Sequence, residues 1–244
     1  MKTSATITWF GHSTVRLLLE DGRVIMIDPW LAENPACPDE LKTLDRCDLV
    51  LLTHGHFDHV ADVGRLIRQF NPKIVGNYDL CAALEHTIGA GHYCGMNTGG
   101  MQQVDGVRVS LTKAFHSSAL SGPNGPIYAG MPNGLVIDAP GLARVYHAGD
   151  TDVFGDMALI RRLWDPKIAI LPIGDLFTMG AAGAAIAAEL LKPDVIVPIH
   201  YQTFPILAQS ADEFRTALPA ELKRRLLVPE VGQAMNWSAA GLTL

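Results

Sequence analysis

The segment His54-Gly55-His56-Phe57-Asp58-His59 places three imidazoles and a carboxylate within one turn-sized stretch. Taking four such groups out of water together is costly unless something compensates them, and a divalent cation is the simplest compensation. The segment therefore reads as a metal site. It follows the apolar run Asp48-Leu49-Val50-Leu51-Leu52-Thr53, which has the length and composition of a buried strand. The turn after a strand is where an α/β protein presents functional groups. Chemistry based on a nucleophilic side chain finds no comparable support. Gly11-His12-Ser13 lacks the G-x-S-x-G elbow, and no G-x-x-x-x-G-K-[ST] loop occurs.

The elements that must position these groups are legible as short β-branched and aliphatic runs. They fall at residues 5–10, 14–20, 24–27, 48–53, 73–76, 107–112, 135–137, 143–147, 168–171 and 195–199. Asp21-Gly22, between the second run and the third, signals a hairpin. Helical periodicity lies between the later runs, at 60–70, 79–89, 156–164, 181–191 and 212–218. A β meander followed by alternating strand and helix predicts sheets covered by helices.

A weak internal repeat supports two facing sheets. The first half contains Trp9-Phe10-Gly11-His12-Ser13, Val24-Ile25-Met26-Ile27-Asp28 and Leu51-Leu52-Thr53-His54. The second half answers with Ala114-Phe115-His116-Ser117-Ser118, Val145-Tyr146-His147-Ala148-Gly149-Asp150 and Ile196-Val197-Pro198-Ile199-His200. Two similar halves would bring their polar strand ends together along one edge.

No Pro/Gly/Ser linker or charge run divides the 244 residues, so 1–244 read as one domain with a core able to hold a rigid site. Hydrophobic content of 48% against 18% charged excludes a disordered chain. A net charge of −6 argues against broad electrostatic binding to nucleic acid. Lys223-Arg224-Arg225, the sole basic run, reads as a solvated helix end. Met1-Lys2-Thr3-Ser4-Ala5 offers no signal-peptide core, and no apolar run reaches a membrane span, so a cytoplasmic protein is expected. Cys37, Cys47, Cys81 and Cys94 have no C-x-x-C spacing and read as small buried or loop thiols.

The pattern His54-x-His56-x-Asp58-His59, followed by His116, Asp150 in Gly149-Asp150-Thr151 and His200, resembles the metallo-β-lactamase superfamily. Further motifs are Trp9-Phe10-Gly11-His12-Ser13, Ile27-Asp28-Pro29, Asn97-Thr98-Gly99-Gly100, Pro172 to Gly180, and Pro198 to Pro205. They resemble the UPF0173 metal-dependent hydrolases, grouped with ascorbate-6-phosphate lactonase, from about Thr8 to about Gly232. The resemblance implies a four-layer αββα sandwich of two similar halves, with the site at one sheet edge. It also implies two divalent ions, Zn or Mn foremost and Fe or Ni as further candidates. One ion would take His54, His56 and His116, the other Asp58, His59 and His200, with Asp150 bridging. Imidazole and carboxylate donors suit these metals, and alternate positions in a turn can point two rings at one ion. Flavodiiron proteins of the same superfamily carry a carboxylate where His56 stands, so the imidazole favours hydrolysis over oxygen reduction.

The reaction this implies is hydrolysis by a hydroxide bridging two ions, with Asp58 or Asp150 holding or receiving the proton. The expected partner is a small ester, lactone or phosphoester, a phosphorylated lactone or ester foremost; a homo-oligomer is permitted. A phosphodiesterase or nuclease of the same superfamily, and a non-enzymatic metal-binding or partner-binding protein of this fold, are the alternatives.

Around the ligands, Asp28 reads either as an acceptor behind a metal-bound imidazole, which the resemblance favours, or as a turn cap before Pro29. His12 either touches metal or substrate or is a buried, hydrogen-bonded histidine. His147 either supports a ligand or transfers protons. Phe177, Thr178 and Met179, between Gly174 and Gly180, are candidates for the pocket wall, Met179 suiting the core equally. Tyr201 and Thr203 are candidate donors to a substrate oxygen, and His86 and His92 read as surface residues.

Overall fold

In the computed structural model, which describes residues 4–244, the apolar runs become two facing sheets. Residues 1–3, on which the reading of the N-terminus partly rests, lie outside the described residues. The first sheet contains β1 (Thr6–Trp9), β2 (Val15–Leu18), β3 (Val24–Ile27), β4 (Leu49–Leu51), β5 (Lys73–Asn77) and β6 (His92–Met96) side by side in chain order. The second is built from β7 (Met101–Val104), β8 (Val107–Lys113), β11 (Asn133–Asp138), β12 (Val145–His147), β13 (Ile168–Pro172) and β14 (Val195–Ile199). A separate hairpin pairs β9 (Ala119–Gly122) with β10 (Gly125–Tyr128), and β15 (Ala234–Ser238) with β16 (Gly241–Thr243) extends the first sheet beyond β1.

Side-chain alternation assigns the faces. Ile7, Leu17, Ile25 and Leu49 are register partners across β1 to β4 and share one apolar cluster with Val109, Ile137, Val145 and Ile168 of the second sheet. The intervening row, Met26, Val50 and Ile74, belongs to a second cluster. There it meets Val63 and Leu66 of α2 (Val63–Phe70) and Leu80 and Leu84 of α3 (Tyr78–Ile88). On the far side, α4 (Met157–Trp164), α5 (Ala181–Leu191), α6 (Asp212–Ala217) and α7 (Ala220–Lys223) pack through Met157, Ile160, Leu191, Phe214 and Leu222. Helix, sheet, sheet and helix give the four-layer αββα sandwich. The small side chains Ala184, Ala185, Ala187 and Ala188 are buried, so α5 lies close on its sheet.

Strand direction explains why polar groups collect at one edge. β1 and β2 pair antiparallel, as do β2 and β3, whereas β3, β4 and β5 are parallel. β8, β11 and β12 repeat the antiparallel steps, and β12, β13 and β14 the parallel ones. Thus β1, β3 and β4 all point one way in their sheet, as do β8, β12 and β14 in theirs. The topology also corrects one pairing in the repeat. By position β4 answers β13, and β14 answers β5, so Leu51-Leu52-Thr53-His54 and Ile196 to His200 are not equivalent strands.

Two departures from the periodicity have local causes. The expected helix 60–70 breaks into α1 (Phe57–Val60) and α2 around Asp62, whose carboxylate accepts from the backbone N–H groups of Leu31 and Ala32 and pairs with Arg65. β6, β7, β9, β10, β15 and β16 are absent from the expected runs. β15 reads Ala234-Met235-Asn236-Trp237-Ser238, with just Met235 and Trp237 buried, so it is a half-buried strand whose alternation offers no continuous apolar run.

Lys223 and Arg224 are exposed at the end of α7. No helix among the described residues is long and apolar enough to cross a membrane. Burial pushes the thiols of Cys37 up to about 11 and of Cys47 and Cys81 up to about 12, which removes them as nucleophiles near neutral pH.

Leu17 is fully buried in the cluster between the sheets. Leu17→Ala is expected to cost about 2–5 kcal/mol through lost burial and a residual cavity. Urea unfolding checks this, and a shift below about 1 kcal/mol would show that the site collapses around the truncation.

Candidate metal centre

The loop after β4 presents His54, His56, Asp58 and His59, with Asp58 and His59 on the single turn of α1. The ends of β1, β3, β8, β12 and β14 bring in His12, Asp28, His116, Asp150 and His200. His12, Asp28 and His200 adopt left-handed backbone conformations, with φ of 53°, 47° and 59°. Non-glycine residues occupy that region when surrounding contacts over-determine them. One such contact is the His200 backbone N–H, which donates to His12 O at 2.9 Å and ties the two halves together. Gly174 lies against His200, where a Cβ would collide with its carbonyl oxygen and Nδ1, so only glycine lets this strand end approach.

Asp150 is the point of convergence. Its Oδ2 lies 3.0 Å from His200 Nε2, 3.4 Å from His59 Nε2, 3.7 Å from His116 Nε2 and 4.0 Å from His54 Nε2. Its Oδ1 accepts from Ser13 Oγ at 3.4 Å. Beside it, His56 Nδ1 stands 2.9 Å from His54 Nε2 and 3.2 Å from His116 Nε2. Donors sharing a tetrahedral ion at about 2.0–2.1 Å stand roughly 3.3 Å apart, so these separations match a shared cation. Three groups of potential ligand atoms result, each with all its atoms within 4.8 Å of one another: His54, His56 and His116; His12, Asp58, His59 and His200; and Asp28, His54 and His59, the last of which links the first two.

Two of the rings, His59 and His54, present lone pairs to this centre because their other nitrogens are occupied. His59 Nδ1 donates to Asp28 Oδ2 at 2.8 Å. Thr53 Oγ1 donates to the same oxygen at 2.6 Å and lies 3.0 Å from His54 Nδ1, whose N–H it can accept. Asp28 therefore controls His59 directly and His54 through Thr53, leaving both Nε2 atoms for the centre. His12 Nε2 donates to Asp58 Oδ2 at 2.9 Å, and its Nδ1 accepts from Thr203 Oγ1 at 3.0 Å.

Electrostatics point the same way. Burial works against charge on Asp150, yet His200 and His59 hold its carboxyl well below the usual carboxylate range. Burial also opposes charge on His59, but Asp150 and Asp28 outweigh it and hold the ring well above its ordinary value. Burial, helped by His59, pushes His54 well below. Asp58, despite burial, is held at about 2 by its bond from His12 and by His59. His12, pushed down to about 4 by burial and by His200, is neutral. His59 Nε2 and both ring nitrogens of His200 are sealed from solvent without an aligned hydrogen-bond partner. Buried polar atoms are rarely left so. The orphaned Nε2 atoms of His59 and His200, both facing the Asp150 carboxylate, fit a divalent cation.

The remaining candidates separate clearly. His147 Nε2 donates to Ser13 O at 3.2 Å and its Nδ1 accepts from Gly149 N at 3.1 Å, so it pins the turn before Asp150 and leaves no nitrogen for proton transfer. Phe177 is exposed and lines the cavity above the centre, whereas Met179 is in the apolar core and Thr178 Oγ1 donates to Met179 O. Tyr201 is also core, stacked on Trp9 at 5.0 Å, and does not line that cavity. Thr203 serves His12. His86 and His92 are exposed. The motif Asn97-Thr98-Gly99-Gly100 forms the turn joining the two sheets, with Thr98 Oγ1 accepting from Asn133. Sequence reasoning missed Thr53, although a hydroxyl directly before H-x-H at a strand end is a usable signal, and missed Trp30, Phe57 and Phe204 beside the centre.

An αββα sandwich with a His/Asp cluster at its strand ends is the architecture of the metallo-β-lactamase superfamily, and the beta-lactamase superfamily domain matches residues 23–201. A UPF0173 metal-dependent hydrolase of Rubrobacter xylanophilus is 43% identical over 232 residues, covering 94% of this chain and 96% of the relative. One from Koribacter versatilis is 41% identical, covering 92% and 93%. The solved structure of Igni18, a metallo hydrolase from Ignicoccus hospitalis, superposes with a TM-score of 0.82 at 36% identity, covering 95% and 97%. The chain belongs to the UPF0173 metal-dependent hydrolases and is an enzyme of that class.

Asp28→Asn keeps the shape but turns one acceptor into a donor facing donors. Metal affinity is expected to fall about 10–100-fold with the far-ultraviolet circular dichroism unchanged. Competition against a fluorescent chelator measures it, and an unaltered affinity would detach Asp28 from the ligand rings.

Proposed function

We propose that this enzyme holds two divalent ions and hydrolyses a small ester, lactone or phosphoester. The observation that carries the proposal is the convergence of four imidazole nitrogens on Asp150 Oδ2, with the ligand groups His54, His56, His116 and Asp58, His59, His200 beside it. We assign His54, His56 and His116 to one ion, Asp58, His59 and His200 to the other, and Asp150 to both. Imidazole-rich donors with two carboxylates favour zinc or manganese, with iron or nickel as further candidates. When bound, such ions supply Lewis acidity and bring a water's pKa towards neutrality.

The chain's own residues do the rest. Water adds across the acyl or phosphoryl bond to oxygen, its oxygen joining the carbon or phosphorus and a proton ending on the leaving oxygen. Asp58 faces the cavity with its Oδ2 held by neutral His12, so it is placed to hold that proton and release it. Asp150, anchored through Oδ1 by Ser13, keeps the two ligand groups at fixed separation. His12 restrains Asp58 and is itself restrained by Thr203. The partner we propose is a small molecule bound in the cavity of about 420 Å³ over the centre. The setting we propose is cytoplasmic, where four unpaired thiols stay reduced.

Elemental analysis of gently purified protein under metal excess is expected to saturate at two ions per chain, and chelation to abolish turnover of a generic ester or lactone. Saturation at one ion sinks the two-ion assignment. Asp150→Asn is expected to lower that turnover at least about a hundredfold, the scale of losing one positioned electrostatic group. Its fold should survive, and full turnover with both ions retained would remove Asp150 from the mechanism.

A further inference from the structure

We propose that the substrate of this site carries an apolar, ring-sized group beside its scissile bond and no anionic group apart from the scissile one, so that a phosphate elsewhere on the molecule is disfavoured. The inference rests on the hydrolase reading above and names what that site selects. Three phenylalanines, Phe57, Phe177 and Phe204, line the cavity over the ligand cluster. Phe57 and Phe177 are each 54% exposed, an unusual investment of aromatic surface around one cavity.

Two of these rings pack against one buried side chain. Buried Trp30 meets Phe57 edge-on at 5.7 Å and stacks with Phe204 at 5.8 Å. A preformed aromatic wall costs a ligand little ordering. Phe177 lies on the loop between β13 and α5, so its ring is carried by a different element from the Trp30 block.

Charge argues against a second anionic group on the ligand. Among the described residues no lysine or arginine lines this cavity, and its charged groups besides the imidazoles are the carboxylates Asp58 and Asp150. Phosphate recognition relies on guanidinium, ammonium or clustered N–H donors. The ions we assign there are matched by carboxylates and engaged by the scissile group. A phosphate elsewhere on the substrate would be desolvated against phenyl rings with nothing to offset the loss of water. The neutral hydrogen-bonding side chain on the wall is Ser117, whose Oγ lies 3.3 Å from His56 Nε2. One hydroxyl suits orienting a carbonyl or ether oxygen better than holding a dianion.

The test titrates zinc-loaded protein with 3-phenylpropionate and with 3-(4-sulfophenyl)propionate. These share a carboxylate and a ring, and differ by one anion that is a poor metal ligand. The unsulfonated acid is expected to bind at least ten times more tightly. Phe177→Ala should weaken it about tenfold, the scale of one lost ring contact, while leaving the sulfonated acid within twofold. Equal or tighter binding of the sulfonated acid, or indifference of 3-phenylpropionate to Phe177→Ala, would overturn the proposal. In parallel, turnover of a phenyl-substituted γ-lactone is compared with that of its phosphorylated counterpart. Faster turnover of the phosphorylated lactone also overturns it. Turnover of neither, with the binding preference intact, would sink the ester-hydrolase reading and leave the apolar subsite standing.

Discussion

Asp28 Oδ2 receives hydrogen bonds from His59 Nδ1 at 2.8 Å and from the Thr53 hydroxyl at 2.6 Å, while Oδ1 receives the Thr53 backbone N–H at 2.8 Å. A histidine can offer a lone pair from one nitrogen only if the other carries the proton, and something must hold that proton in place. With Thr53 relaying to His54 Nδ1, one carboxylate sets two rings at once. Remove that constraint and His54 and His59 could rotate or change tautomer without leaving the cavity. Asp28 is wholly buried at a left-handed corner before Pro29, so its position is set by the chain path and not by solvent.

The electrostatic logic of the cluster follows. Three carboxylates, buried Asp28 and Asp150 and half-buried Asp58, face a collection of imidazoles of which burial keeps His12 and His54 neutral. Without cations the arrangement holds more negative charge than its rings comfortably match, and the raised pKa of His59 is the partial response. Divalent ions would take the place of that proton and satisfy the orphaned Nε2 atoms of His59 and His200 in the same act. A cluster so arranged is a poor way to stabilise a fold and a good way to select a cation.

Much of this was legible in the chain because the residues with chemistry stand at ends of strongly apolar runs. His54 to His59, Asp150 and His200 each follow a buried strand whose composition admits few other readings. What escaped was set by three-dimensional proximity. Nothing in its sequence neighbourhood says that Trp30 supports Phe57 and Phe204, or that Met179 turns inwards while Phe177 turns out. Tyr201 adjoins His200 yet packs on Trp9, in the apolar cluster that also holds Val197 and Ile199 of β14. The repeat was visible as composition, but its register depended on strand neighbours, and these placed β14 opposite β5 instead of β4.

The two halves are bound by two kinds of force with different precision. The apolar cluster between the sheets contributes most of the cohesion, yet hydrophobic burial is non-directional and tolerates small slides of one sheet on the other. Metal ligation tolerates far less, since misplacement by a few tenths of an ångström changes coordination. The difference is made up by polar bonds that cross from one half to the other near the centre. His200 N–H reaches His12 O, His147 reaches Ser13 O, Asn133 N–H reaches Thr53 O, and Gly55 N–H reaches Ser118 Oγ. Three of the four anchor a ligand or a residue adjacent to one, and the His147 bond holds the turn that leads to Asp150, so sheet packing brings the halves together and these bonds set their final register. His12 and Ser13 thereby acquire a structural meaning: their backbone carbonyls lock His200 and His147 while their side chains hold Asp58 and Asp150. The short Gly-His-Ser segment serves both carboxylates that face the cavity.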